Sequence, residues 1–285
     1  MEVERTDLAL QATRNGNPGN TGVLGGSKVI ELRVAPGCGP TGRILERILT
    51  NNGIRLGRGG GVVSWGVRAD GAHVLNGNAG RRNKLGQLRA MTEAGVQTLQ
   101  AFERPPLQQE LYPLIARQFH HVAGRDIRVC LQPEDAEIAY RNGSNFYTKF
   151  IPRAREYRIW VFRKRHLGTY EKILTRPERY TKFGCNYHNG WAFRLVTEAN
   201  IPRAAVELAG DALQAIGLDF GAVDILVGKD GQNYVLECNS APGVEGDDRQ
   251  VIRALARKIA NWERNGFLRR NGDGGHRAEQ NPIRP

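Results

Sequence analysis

The chain has 285 residues, enough for one large domain or two to three small lobes around a real core. A composition of 40% hydrophobic and 25% charged residues excludes wholesale disorder, and no run approaches the 18 apolar residues of a membrane span. The 41 Lys and Arg against 29 Asp and Glu leave a net charge of +12, which points to an anionic partner without naming it.

In chain order, residues 1–26 are polar, rich in Gly, Asn and Thr, and lack an apolar signal-peptide core. They read as a flexible arm. KVIELRV (28–34) is strand-like, GRILERILTNNG (42–53) is a short helix stopped at Asn51-Asn52-Gly53, and Val62–Trp65 is a second strand. This order predicts a small α/β lobe over 27–78. A second helix is expected from near Ala79, with Leu85, Leu88 and Met91 on one face and Gly95 at its end. LYPLIARQF and IRVCL read as strands around the turn HHVAGRD, and SNFYTKFIP and REYRIWVF as two more. In the last of these, Trp160 and Phe162 fall on one side and Ile159 and Val161 on the other. Pro202 opens a helix through RAAVELAGDALQAIG, and a final helix covers roughly Arg249–Trp262. The expected division is a central lobe over 79–196, a second lobe over 197–263 and a disordered basic tail over 264–285.

Several tempting motifs carry little. LGRGGG (56–61) lacks the spacing of a phosphate loop and reads as a turn. His120-His121 has no partner cluster, and Ser64 and Ser240 lack a nucleophile-elbow context. Cys38, Cys130, Cys185 and Cys238 form no C-x-x-C pair, so neither a zinc site nor a disulfide framework is expected and a reducing cytoplasm is the natural setting. The RKRH run at 163–166 and the Arg-rich tail could meet nucleic acid, but charge runs are usually solvated faces, so direct nucleic-acid binding is disfavoured.

The informative stretch is LDFGAVDILVGKDGQNYVLECNSAPG (218–243). Asp230-Gly231 is a strong hairpin turn, and the register it sets puts Asp224 directly opposite Glu237, with Asn239 on the same face. Carboxylates paired across a strand repel. A hard divalent cation held by carboxylate and amide oxygens would offset that repulsion. The alternative is two solvated acids on an exposed ribbon, against which the apolar character of both strands weighs.

GLDFGAVDILV followed by YVLECNSAPGVEG resembles the C-terminal metal hairpin of the ATP-grasp superfamily, in particular its ribosomal-protein glutamate ligase and lysine-biosynthesis ligase branch. The resemblance runs over about residues 62–262 and implies an α+β fold, with two α+β lobes enclosing ATP behind a small α/β lobe. It implies that Asp224, Glu237 and Asn239 hold Mg2+, with Mn2+ a substitute, on the ATP phosphates. Lys84, in NKLGQLRAMTEAG, and Arg117, where relatives carry Lys, would reach the nucleotide. Lys149, Phe150 and Ile151 of FYTKFIP would line the adenine pocket, and Glu156 and Arg158 match the Asp-x-Arg element, whose arginine meets the transferred phosphate. Asn186 and Gly190 in NYHNGWAF match a segment near the reacting centre. VVSWG, VLNGNAG and NKL in that order also look like phage-encoded members of the superfamily.

The implied reaction is ligation of a carboxylate substrate to an amine acceptor, a peptide or protein among the candidates, through an acyl-phosphate. The alternatives are a nucleic-acid or virion-associated binding protein that keeps the fold without ligation, and a small-molecule kinase. The residues leave oligomeric state open.

Overall fold

The computed structural model describes residues 29–119, 127–179, 189–243 and 249–267. The expected arm at 1–26, most of the tail, Asn186 and the HHVAG turn lie outside them. Three sheets carry the chain.

The first is parallel. β1 (Val29–Val34) is flanked by β2 (Arg55–Leu56) and β3 (Gly61–Trp65), and β4 (Val74–Leu75) extends β3. α1 (Gly39–Asn51) crosses from β1 to β2 with Pro40 in its first turn. Its apolar face, Leu45 and Leu49, is fully buried.

α2 (Lys84–Glu93) begins later than the sequence pattern suggests. The Asn83 side chain accepts a 2.8 Å hydrogen bond from the Gly86 amide and so fixes the helix start, while residues 76–80 are occupied by turns. The second sheet is antiparallel, in the order β5 (Ala101–Phe102), β8 (Phe146–Lys149), β6 (Leu114–Arg117), β7 (Arg128–Cys130). It is backed by α3 (Pro133–Arg141), a helix the sequence pattern does not announce. Its signals are local: Pro133 in the first turn, with Glu134 and Asp135 beside it at the positive end of the helix dipole.

The third sheet positions the site. Its order is β11 (Trp191–Val196), β10 (Arg165–Leu174), β9 (Arg153–Phe162), β12 (Phe220–Gly228), β13 (Asn233–Asn239), all antiparallel. α4 (Arg203–Ala215) covers one face, where Ile159, Val161, Val223 and Ile225 are buried. α5 (Gln250–Arg264) covers part of the other, packing Val251, Ile252, Leu255 and Ile259 into a core with Trp160 and Phe220. Past α5, Phe267 seats on Trp262 with ring centroids 4.8 Å apart.

The small lobe joins this third sheet through Asn76, which is fully buried at a backbone φ of 58°. Its amide N–H donates to Asp219 Oδ2 at 2.8 Å and its Nδ2 to the Phe220 carbonyl at 2.8 Å. Its Oδ1 accepts from the Asp219 and Phe220 amides at 2.8 and 2.9 Å. Every polar atom of a buried side chain is thereby satisfied at the entrance to β12.

Candidate active site

The β12–β13 hairpin brings Asp224 opposite Glu237, as the turn predicts, but by an indirect route. Near the turn the pairs are Val227–Asn233, Leu226–Tyr234 and Ile225–Val235, one residue out of the expected register. Leu236 is the extra residue of a β-bulge that restores it at Asp224–Glu237 and Ala222–Asn239. The bulge also lets Val235 and Cys238, three residues apart, both reach the α4-side core, leaving Glu237 on the opposite face.

On that face Asp224 meets Arg158 of β9, its direct cross-strand partner. Arg158 Nε donates to Oδ1 at 2.7 Å and Nη2 to Oδ2 at 3.0 Å, a bidentate fork. Lys172 of β10 donates to Asp224 Oδ2 at 2.9 Å and also to Glu156, which Arg153 approaches at 3.6 Å. Burial alone would raise the Asp224 carboxyl, but Arg158 and Lys172 outweigh it and hold it well below the usual carboxylate range. Burial alone would lower the Lys172 ammonium, but Asp224 and Glu156 hold it above its ordinary value.

Lys84 stands at the first position of α2, and α2 is moored to β13 by Gln87, whose Oε1 accepts the Cys238 amide at 3.1 Å. Lys84 Nζ therefore reaches Glu237 Oε2 at 2.8 Å, while Asn239 Nδ2 donates to Glu237 Oε1 at 3.2 Å. Burial raises the Glu237 carboxyl and Lys84 lowers it, with a net downward shift despite the neighbouring Asp224. From the second sheet, Arg117 at the end of β6 faces the same carboxylates. Burial pulls its guanidinium below the usual value, opposed by Glu237 and Glu156. Its Nε is buried and hydrogen-bonds nothing among the described residues.

The structure thus gathers Lys84, Arg117, Glu156, Arg158, Asp224, Glu237 and Asn239 on one surface. It places Lys149 elsewhere: Nζ donates to the Glu110 and Leu111 carbonyls at 3.2 and 2.8 Å. Phe150 and Ile151 form the link from β8 to β9. The Phe150 amide donates to the Pro113 carbonyl at 3.0 Å, and Ile151 lies against Gly228 at the far end of β12. Gly190 turns the chain into β11 at φ 83°, in contact with the Arg176 backbone.

Lys172 and Arg153 escaped the sequence reading. The signal for Lys172 was the alternation in HLGTYEKIL, which puts it two residues beyond Tyr170 on one face of β10. A small cleft beside the ion network was also missed. Arg158, Trp160, Tyr170, Phe193, Val251 and Ile252 line it. The Arg158 guanidinium lies 4.6 Å from the Phe193 ring centre. Trp160 is 2% exposed, and its Nε1 has no acceptor among the described residues.

Among the described residues no three of His, Cys, Asp and Glu converge as a ready metal cluster. The donor set on the hairpin is two carboxylates and one amide, all hard oxygen donors, and this chemistry fits Mg2+. Around it stand five cations (Lys84, Arg117, Arg153, Arg158, Lys172) against three carboxylates (Glu156, Asp224, Glu237), a surplus that suits a phosphate-bearing ligand.

Three antiparallel and parallel sheets with a carboxylate hairpin facing a basic wall define an ATP-grasp fold. Residues 97–262 match the RimK-like ATP-grasp domain, and the chain belongs to that family. Over 94 residues it is 34% identical to a probable alpha-L-glutamate ligase of Enterobacter sp. (strain 638), an alignment spanning 32% of this chain and 30% of that protein. Among solved structures it resembles the ATP-grasp ligase PsnB complexed with minimal precursor, Mg and ADP (TM-score 0.63, 12% identity, 82% of this chain and 97% of that one). It also resembles the macrocyclase MdnC of Microcystis aeruginosa MRC bound with precursor peptide MdnA (TM-score 0.57, 12% identity, 82% and 99%). D-cycloserine synthetase DcsG is a third (TM-score 0.55, 16% identity, 82% and 99%). At these identities the structural likeness speaks for the fold. Among the described residues no helix is long and apolar enough to cross a membrane.

Proposed function

We propose that the chain is an ATP- and Mg2+-dependent ligase that joins a carboxylate to an amine. The observation that carries this reading is the Asp224–Glu237 pair with Asn239, held on a sheet face whose remaining charges are a surplus of cations. A buried array of this kind costs more than well-packed apolar residues would, so a chemical use is the natural reason for it.

In this reading Asp224, Glu237 and Asn239 hold the metal. When bound, the ion neutralises phosphate charge during transfer. Lys84 and Arg117 bind phosphate oxygens, which requires the Lys84 ammonium to exchange Glu237 for the nucleotide. Arg158, fixed by Asp224 below and Phe193 beside it, offers a preoriented positive charge at the mouth of the Trp160 cleft. The substrate carboxylate lies there, with the Trp160 indole N–H as a further donor. One carboxylate oxygen attacks the terminal phosphorus and ADP departs. The amine nitrogen then attacks the acyl carbon, inorganic phosphate leaves, and the nitrogen loses a proton. Lys172 touches neither reactant; it positions Asp224 and Glu156. Catalysis is positioning and charge, with no side chain as a covalent nucleophile.

The relatives suggest substrates: the Enterobacter protein is named a probable alpha-L-glutamate ligase, and PsnB and MdnC were solved with precursor peptides. A glutamyl or peptide carboxylate is therefore the first candidate. The test incubates the purified chain with ATP, Mg2+ and an amino-acid and peptide panel, following ADP release and product mass. Amide formation dependent on both substrates supports the reading. A stable phosphorylated product without amide would make the protein a kinase, and no Mg2+-dependent ATP binding at all would remove the reading.

A further inference from the structure

Of the basic run singled out in the sequence, RKRH at 163–166, three of the four side chains are engaged within the fold. Arg163 Nε lies 3.1 Å from Asp219 Oδ1, and Lys164 Nζ lies 2.8 Å from Asp211 Oδ1. His166 is engaged with Thr169 Oγ1 at 2.8 Å. Five further surface arginines are paired in the same way: Arg33 with Glu31, Arg89 with Glu103, Arg141 with Glu137, Arg194 with Glu171 and Arg203 with Glu207, each at 2.6–3.1 Å.

α5 instead lines up its arginines on one face. Arg253, Arg257 and Arg264 are exposed, Arg249 is half-exposed just before the helix, and none of the four has a carboxylate partner among the described residues. Steps of four, four and seven residues bring all four guanidiniums to one stripe at 3.6 residues per turn, about 22 Å long. Lys258, Gln250 and Asn261 flank it. The only carboxylate on the helix, Glu263, is turned inward and 4% exposed. Opposite the stripe, the buried face of α5 anchors on the third sheet, so the helix is a rigid mount.

We propose that α5 is a docking surface for the phosphate backbone of double-stranded nucleic acid, separate from the carboxylate site and independent of the ligase reading. Three features select this partner. The stripe is made of Arg, whose planar fork matches phosphate, where a generic solubilising face would mix Lys with acids. The approximately 6 Å between Arg253 and Arg257 along the axis suits successive phosphates better than a single compact anion. No aromatic side chain is exposed on this face, since Trp262 is buried. Base stacking on single strands is therefore unsupported, and contact is to backbone without sequence reading.

The experiment is fluorescence anisotropy of the full chain with a labelled 30-base-pair DNA duplex, over 50 to 200 mM KCl and without ATP. Four phosphate contacts predict a log–log salt slope of about −3 to −4, roughly a hundredfold loss of affinity over that range. Arg253→Gln with Arg257→Gln should reduce the slope by about 2 and leave ATP binding and thermal stability unchanged. The single strand should bind more weakly than the duplex. Absence of salt-dependent duplex binding overturns the proposal, as does an unaltered slope in the double variant. Equal binding of polyglutamate in competition would reassign the surface to an acidic polypeptide.

Discussion

The two faces of the five-stranded sheet were built from the same strands to opposite ends. Under α4, β9 and β12 present Ile159, Val161, Val223 and Ile225, and each loses all or nearly all contact with water. One residue along each strand, the other face presents Glu156, Arg158 and Asp224, with Asp224 and Glu156 just 3% and 6% exposed. The apolar face gains free energy with every methylene it buries. The charged face has to desolvate ions and recover the cost through Arg158, Lys172 and Lys84. The contrast teaches where the molecule accepts a loss of stability, and that place is the candidate active site.

The strongest way to break the contrast is to remove one charge. Asp224→Leu leaves Arg158 buried without its carboxylate and Lys172 with Glu156 alone, and should cost about 3–5 kcal/mol in urea unfolding, with loss of ADP release. Converting the group together, Asp224→Leu with Arg158→Met and Lys172→Met, should recover most of that loss, short of wild type because Glu156 then keeps only Arg153 at 3.6 Å, while activity stays absent. A triple variant as unstable as the single one would show that the charged face is structural. Next in size, Asn76→Ala leaves the Asp219 and Phe220 amides unpaired in the interior and should lose about 2–4 kcal/mol by the same measurement.

Trp160→Phe keeps the ring and removes the donor. It should raise KM for the carboxylate substrate about tenfold, equivalent to about 1.4 kcal/mol, with KM for ATP unchanged. An equal rise in both would remove Trp160 from the substrate cleft. The finest test is acid unfolding. Asp224 and Glu237 are held below ordinary carboxylate values, so their contribution is complete above about pH 5 and is lost as pH falls through the depressed values. The triple apolar variant should therefore lose less stability than wild type below pH 4.

The hairpin was legible in the sequence because two acids and an Asn interrupt strands that are otherwise apolar, on either side of Asp230-Gly231. Its register was legible in outcome only. The bulge at Leu236 has no marker, since no Gly or Pro stands there. β10 was hidden because its hairpin turn is Arg163-Lys164, two residues at φ 45° and 60° where Gly or Asn would ordinarily signal the conformation. With β10 hidden, Lys172 could not be placed. The charged run at the turn drew attention to its ions, while those ions found Asp219 and Asp211 at sequence distances no local pattern reveals. The alignment of the arginines on α5 likewise emerges only once the helix and its buried face are placed.

Asn76 has one more consequence. Its clamp on Asp219 and Phe220, with Trp65 stacked 5.9 Å from Phe220, merges the small parallel sheet into the interior of the five-stranded one. Buried contacts thus cross the expected boundary at residue 78. A fragment starting at residue 79 should be insoluble by itself, and residues 29–78 should behave as a subunit that has lost its other half. The segment after β4 that carries Asn76 is therefore no independent module; any graft that alters it has to carry Asp219 and Phe220 along.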